Sequence, residues 1–126
     1  MRLPLVPVAA VLDLTCVTVF VVVGRASHGE GDTPVGILGT LWPFALALVV
    51  GWIATLAWRD PLRILPVGLG VWAVTAGGGL LLRMAGGDGA PMSFAIVTAL
   101  FLAATLLGWR TIARLTRSRT PADTPS

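Results

Sequence analysis

An all-α bundle of four membrane-spanning helices, connected up-down-up-down, is the fold class this sequence predicts, and three observations predict it. Four apolar runs cover about residues 3–23, 38–58, 64–82 and 91–109, each near the ~20 residues a helix needs to cross a bilayer. Charged residues make up only 12% of the 126 residues, against 56% hydrophobic, roughly half the charge of a soluble domain. The nine arginines segregate by side, as shown below. Residues 1–110 therefore read as one transmembrane domain, and 111–126 as a basic cytoplasmic tail, partly disordered. The short connections leave no room for a soluble catalytic module.

The first run follows a thin positive region, Arg2 alone, and Gly24-Arg25-Ala26-Ser27 is a poor cleavage site, so the segment reads as a retained helix. The second run carries Trp42-Pro43, which puts a proline either in an early turn or at a kink. The third holds Gly77-Gly78-Gly79. Each glycine weakens a helix by about 1 kcal/mol relative to alanine, so the triplet serves close packing or an unwound outer end. The fourth continues past Trp109, because Arg110, Arg114 and Arg117 follow at helical spacing.

Sidedness follows from the arginines. Arg2, Arg59, Arg63, Arg110, Arg114, Arg117 and Arg119 fall on one side, Arg25 and Arg83 on the other. The positive-inside rule then predicts a plasma-membrane protein with both termini cytoplasmic. Trp58 and Trp109 fall at the expected inner boundaries, where indoles prefer to sit. Arg110, Arg114 and Arg117 are expected to contact anionic headgroups, worth about 1 kcal/mol each near the surface.

The two hairpins are faintly alike. Pro34, Phe44, Gly51 and Trp52 match Pro91, Phe101, Gly108 and Trp109 at an offset of 57, and Arg25 matches Arg83 at 58. A tandem helical-hairpin duplication would produce this pattern, with a pseudo-two-fold axis along the membrane normal.

Absences limit the chemistry. The chain has no Lys, Asn, Gln or Tyr and a single cysteine, Cys16, so no disulfide, Cys-based metal site, Schiff-base lysine or tyrosine acid is available. A sequence pI near 11.1 reflects few acids and a basic tail, with no aromatic-interleaved basic patch for nucleic acid. No cofactor motif or full metal-ligand set is present.

Asp13 is the outstanding residue. A carboxylate at mid-membrane costs about 2.5–3.5 kcal/mol on insertion scales. Its expected neighbours are Thr75 and Thr98, with Arg63 at the start of helix three. Two readings stay open: a buried acid that orients helices, and a proton-accepting or cation-attracting site. With no lysine in the chain and no arginine placed at its depth, the acid is expected to be protonated or wet. Small residues four apart, including Gly51, Gly77 and Ala99, are expected to let helices approach closely.

A second cluster, Arg25, Ser27, His28 and Glu30, lies just beyond helix one, and Arg83 closes the corresponding third helix. These five are expected to form an outer vestibule. His28 beside Glu30 would suit proton exchange but falls short of a metal site.

The strings Asp13-Leu14, Gly24-Arg25-x-Ser27-His28-Gly29-Glu30, Trp42-Pro43-Phe44, Gly51-Trp52 and Val71-Trp72-Ala73-Val74-Thr75 resemble small four-helix integral membrane proteins of actinobacteria, catalogued only as a domain of unknown function. The resemblance runs to about Trp109 and implies a multi-pass membrane protein, with no activity or site residue to carry over. The leading expectation is a small channel or transporter component that uses Asp13. The alternative is a non-transporting structural or accessory protein, and an enzyme comes third. A transport path through so small a bundle would need a homo-oligomer, most simply a dimer.

Overall fold

A computed structural model describes residues 5–27, 33–87 and 91–118. Helix α1 covers Leu5–Ser27 and α2 covers Pro34–Thr55. Helix α3 covers Leu69–Ala85, preceded by a tight turn at Ile64–Gly68. The last crossing is one rod of three parts: α4 (Met92–Leu102), a π-helical turn (Ala103–Leu107) and α5 (Gly108–Ser118). The described residues contain no strand. Among the described residues, four helical spans are long and apolar enough to cross a membrane, ending with Met92–Thr116.

Local chemistry explains where these helices run beyond the apolar stretches. Helix α2 starts at Pro34, ahead of the expected residue 38, because Thr33 accepts the Gly36 N–H at 3.1 Å and proline suits the first helical position. It ends at Thr55, short of 58, where Leu56 turns left-handed at φ 53°. That conformation is unusual for a side chain with a Cβ. The connection after it folds inward, burying Ala57, Pro61 and Leu62. Its amides are bonded within it, as in Arg59 N–H to Leu56 O at 3.0 Å and Arg63 N–H to Asp60 O at 3.2 Å, as an apolar setting demands.

The helices form a ring in chain order, with α2 packed chiefly on α3 and α1 closing against the last rod. The α2–α3 seam is built from small residues. Gly51 rests on Val71 and Val74, Ala47 on Gly78, and Gly79 lies directly under the Phe44 ring. Phe44 is fully buried, so a Cβ on Gly79 would overlap it. Gly77 faces outward with nothing near it. The packing expected of Gly77 is therefore done by its neighbours, because only one or two of three successive positions can face the same partner. The triplet stays helical throughout.

All four phenylalanines meet at the level of Phe20. Its ring lies 5.3 Å from Phe44, 6.1 Å from Phe94 and 5.6 Å from Phe101. This aromatic layer separates the two ends of the bundle. Helix hydroxyls are largely satisfied by the carbonyl four residues back, as at Thr15, Thr98 and Thr105. Thr75 Oγ1 is buried with no hydrogen-bond partner.

Candidate functional site

Asp13 is completely buried, and its principal partner is Arg110, also completely buried. The pairing is bidentate: Arg110 Nη1 donates to Asp13 Oδ1 at 2.8 Å and Nη2 donates to Oδ2 at 2.7 Å. Two indoles complete the set. Trp109 Nε1 donates to Oδ1 and Trp52 Nε1 to Oδ2, each at 2.8 Å. A carboxylate offers about four acceptor positions, and all four are taken.

The guanidinium is also well served. Arg110 Nε donates to Pro61 O at 2.8 Å, and Nη1 donates to Leu106 O at 3.1 Å. Its carbon lies 4.7 Å from the Trp109 ring centroid, within cation–π range. The stem of Arg110 passes Gly68, where a Cβ would sit 3.1 Å from Arg110 Cδ, so this crossing favours glycine. An ion pair repays its desolvation only when the geometry is good and the remaining donors and acceptors are bonded. Both conditions hold here.

The π turn aims Arg110 at the acid. Thr98, Leu102, Leu106 and Arg110 are all fully buried although they stand four apart. In a regular α-helix at 3.6 residues per turn, that spacing drifts by about 40° per step, about 120° over three steps. The i→i+5 turn at Ala103–Leu107 accommodates one extra residue, taking back about 100° of the drift. Arg110 thus stays on the inner face, where a regular helix would carry it towards lipid. Trp72 braces the start of this turn by donating to Ala99 O at 2.9 Å. Ala99, expected as a packing residue, is half-buried and contributes this carbonyl.

Three expectations are corrected here. Arg110 is not a headgroup contact; its side chain reaches inward to Asp13. Asp13 does not face a wet cavity: it is fully buried, with the Arg110 guanidinium bonded to both of its oxygens. Its partners are Trp52, Trp109 and Arg110, not Thr75 or Thr98, and Arg63 instead donates to Leu65 O at 2.7 Å. Arg114 is exposed, and the Arg117 side chain lies outside the described residues.

At the other end, Arg25 and Arg83 line one pocket of about 310 Å³, together with Thr40 and Ser93 and over a floor of Phe20, Val21 and Phe94. Arg25 Nη1 donates to Thr40 Oγ1 at 2.9 Å, and the Arg83 guanidinium stacks on Phe94 at 4.7 Å. Gly36 leaves room for the Arg25 head, which a Cβ there would strike. Arg25 and Arg83 thus line the same pocket. The Ser27 side chain, His28 and Glu30 lie outside the described residues. Among the described residues, no group of three or more His, Cys, Asp or Glu could hold a metal ion.

Sequence reasoning passed over Trp52, Trp109 and Arg110 as ligands of the acid. One signal was present: Gly51-Trp52 and Gly108-Trp109 share the 57-residue offset, and both tryptophans bond the same carboxylate. No curated protein and no solved structure matches the chain. Residues 10–113 match the family described as protein of unknown function (DUF3054), and the chain belongs to that family.

Proposed function

We propose that this protein is a plasma-membrane helical module with a structural or accessory role, and that it conducts no solute through its own bundle. The observation that supports the reading is the closed Asp13–Arg110 pair: neither residue is exposed, and every acceptor position of the acid is used. A channel or transporter component working through Asp13 would need that carboxylate open to water or to a cation. The four-phenylalanine layer stands about 10 Å further along α1, seven residues at 1.5 Å each, and blocks the bundle between Asp13 and the outer pocket. With Arg110 buried, six arginines remain against two, which still favours cytoplasmic termini. Exposed side chains such as Val11, Leu14, Val49, Ile53, Leu81 and Leu100 suit contact with lipid tails, and Arg114 suits an anionic headgroup.

The test is flux from proteoliposomes across a panel of ions and small solutes, comparing wild type with Asp13→Asn. The expected result is no flux in either, with Asp13→Asn lowering only thermal stability. Flux in wild type that Asp13→Asn abolishes would overturn this reading in favour of transport.

A further inference from the structure

We infer that the pocket at the α2–α3 connection is a binding site for a zwitterionic phospholipid headgroup, a phosphate diester carrying a primary ammonium. The inference is independent of whether the bundle conducts and of which face is cytoplasmic. It starts from a short backbone segment that is held in place. Ala57 and Leu62 are buried, and Arg63 N–H donates to Asp60 O at 3.2 Å, closing a turn with Pro61 at its second position. Such a turn brings its first and last Cα atoms within about 7 Å. Arg59, Asp60 and Arg63 line one cavity of about 160 Å³, together with Thr55 and Leu56.

Charges of both signs stand in this lining without meeting. Among the described residues, Arg59, Asp60 and Arg63 make no ion pair. Arg63 donates through Nε to Leu65 O at 2.7 Å, which orients its guanidinium and leaves the Nη1–Nη2 edge for a ligand. Such an edge carries parallel N–H donors that fit two oxygens of a phosphate. Arg59 brings a second guanidinium to the same cavity.

The rest of the polar lining consists of acceptors. The Thr55 hydroxyl gives its proton to Gly51 O at 2.8 Å, so only its lone pairs remain. An ionised Asp60 also only accepts. Helix α2 ends at Thr55, and the carbonyl end of a helix is partly negative. A simple anion would satisfy the arginines and leave these acceptors with nothing. A primary ammonium on the same ligand supplies three donors and satisfies both halves.

The surroundings indicate where such a ligand comes from. Leu56, Trp58 and Leu65 are exposed and adjoin the lining residues in sequence, and an indole at the end of a span suits the headgroup level. The second span itself ends at Thr55. A cavity of about 160 Å³ falls below the ~300–1,000 Å³ of sites that enclose a whole small molecule. It takes a headgroup and leaves the acyl chains along the outside of the bundle.

The experiment is native mass spectrometry of the full-length protein in detergent, titrated with phosphatidylethanolamine. Phosphatidylcholine of the same chains is the control, since it keeps the phosphate but has no ammonium N–H. A saturable first binding event is expected, about tenfold tighter for the ethanolamine lipid, as one hydrogen bond to a charged group implies. Arg59→Gln/Arg63→Gln should weaken that event by about tenfold or more, and Asp60→Ala should remove the preference between the two lipids. Because Arg63→Gln also loses the bond to Leu65 O, Arg59→Gln alone provides a second arm, with weaker binding again expected. Equal affinity of wild type for the two lipids, or unchanged affinity in Arg59→Gln, would overturn the proposal. Soluble phosphoethanolamine, added as a competitor, separates the sources. Much weaker binding than the lipid's supports a membrane ligand, and equally tight binding would overturn that assignment in favour of a free phosphoester.

Discussion

Trp52 and Trp109 donate their indole N–H groups to opposite oxygens of one carboxylate, Asp13, each at 2.8 Å. They come from corresponding places in the two hairpins, so the acid is clasped from both halves of the chain. Arg110, the next residue after Trp109, then closes the clasp through both oxygens. The resulting site is a joint between α1, α2 and the last helix, and it makes quantitative demands on stability.

Removing one member of the pair strands the other charge. Arg110→Leu or Asp13→Asn should each destabilise the protein by about 3–5 kcal/mol, the range for breaking a buried pair. Asp13→Leu/Arg110→Leu should cost far less than the two single losses together, because paired charges replaced by apolar residues are often neutral. Arg110→Lys should not rescue, since an ammonium cannot reach both Asp13 oxygens and Pro61 O at once. Unfolding in a detergent titration measures all four variants.

The two indoles should differ. Trp52 supplies a hydrogen bond, for which about 1–2 kcal/mol is the upper range inside a membrane. Trp109 supplies the same bond and also a ring face under the buried guanidinium, worth about 0.5–2 kcal/mol more. Trp109→Leu is therefore expected to be the more damaging by about 1 kcal/mol in the same titration.

Gly77 and Gly79 offer a paired test of the α2–α3 seam. Gly79→Ala places a methyl group into the Phe44 ring and should cost about 1–3 kcal/mol, the usual range for overpacking a core. Gly77→Ala meets open space and should be neutral or stabilising by up to about 1 kcal/mol through helix propensity. Melting temperatures of the two variants check the ordering.

The π turn predicts an insertion phenotype. Inserting an alanine after exposed Ala104 adds a residue beyond the one that the π turn absorbs and should swing Arg110 by about 100° away from Asp13. The stability loss should match that of Arg110→Leu, and combining the two changes should add nothing further. Full additivity in the double variant would disprove the register argument.

Much of the fold was legible because apolar length reports directly on crossing number. The ion pair was not, for a geometric reason. Position along the chain gives the depth of a Cα, and Arg110 lies at a helix end by that measure. Its side chain then reaches back along the helix, and the extra residue of the π turn decides which way it points. Neither quantity is visible in a pattern of apolar residues. Gly77 and Gly79 teach the same lesson on a smaller scale: the triplet was conspicuous, but the rotation of α3 against Phe44 decides which glycine is needed.

Asp13 and Arg110 stand 97 residues apart, and that separation has a consequence for biosynthesis. The acid emerges from the ribosome with the first helix, while its counter-charge arrives only with the last. Until then the nascent chain must carry an unmatched carboxylate, shielded by water or by the insertion machinery. Fragments that stop after α3 should accordingly be poor substrates for stable integration, because they lack the counter-charge of Asp13.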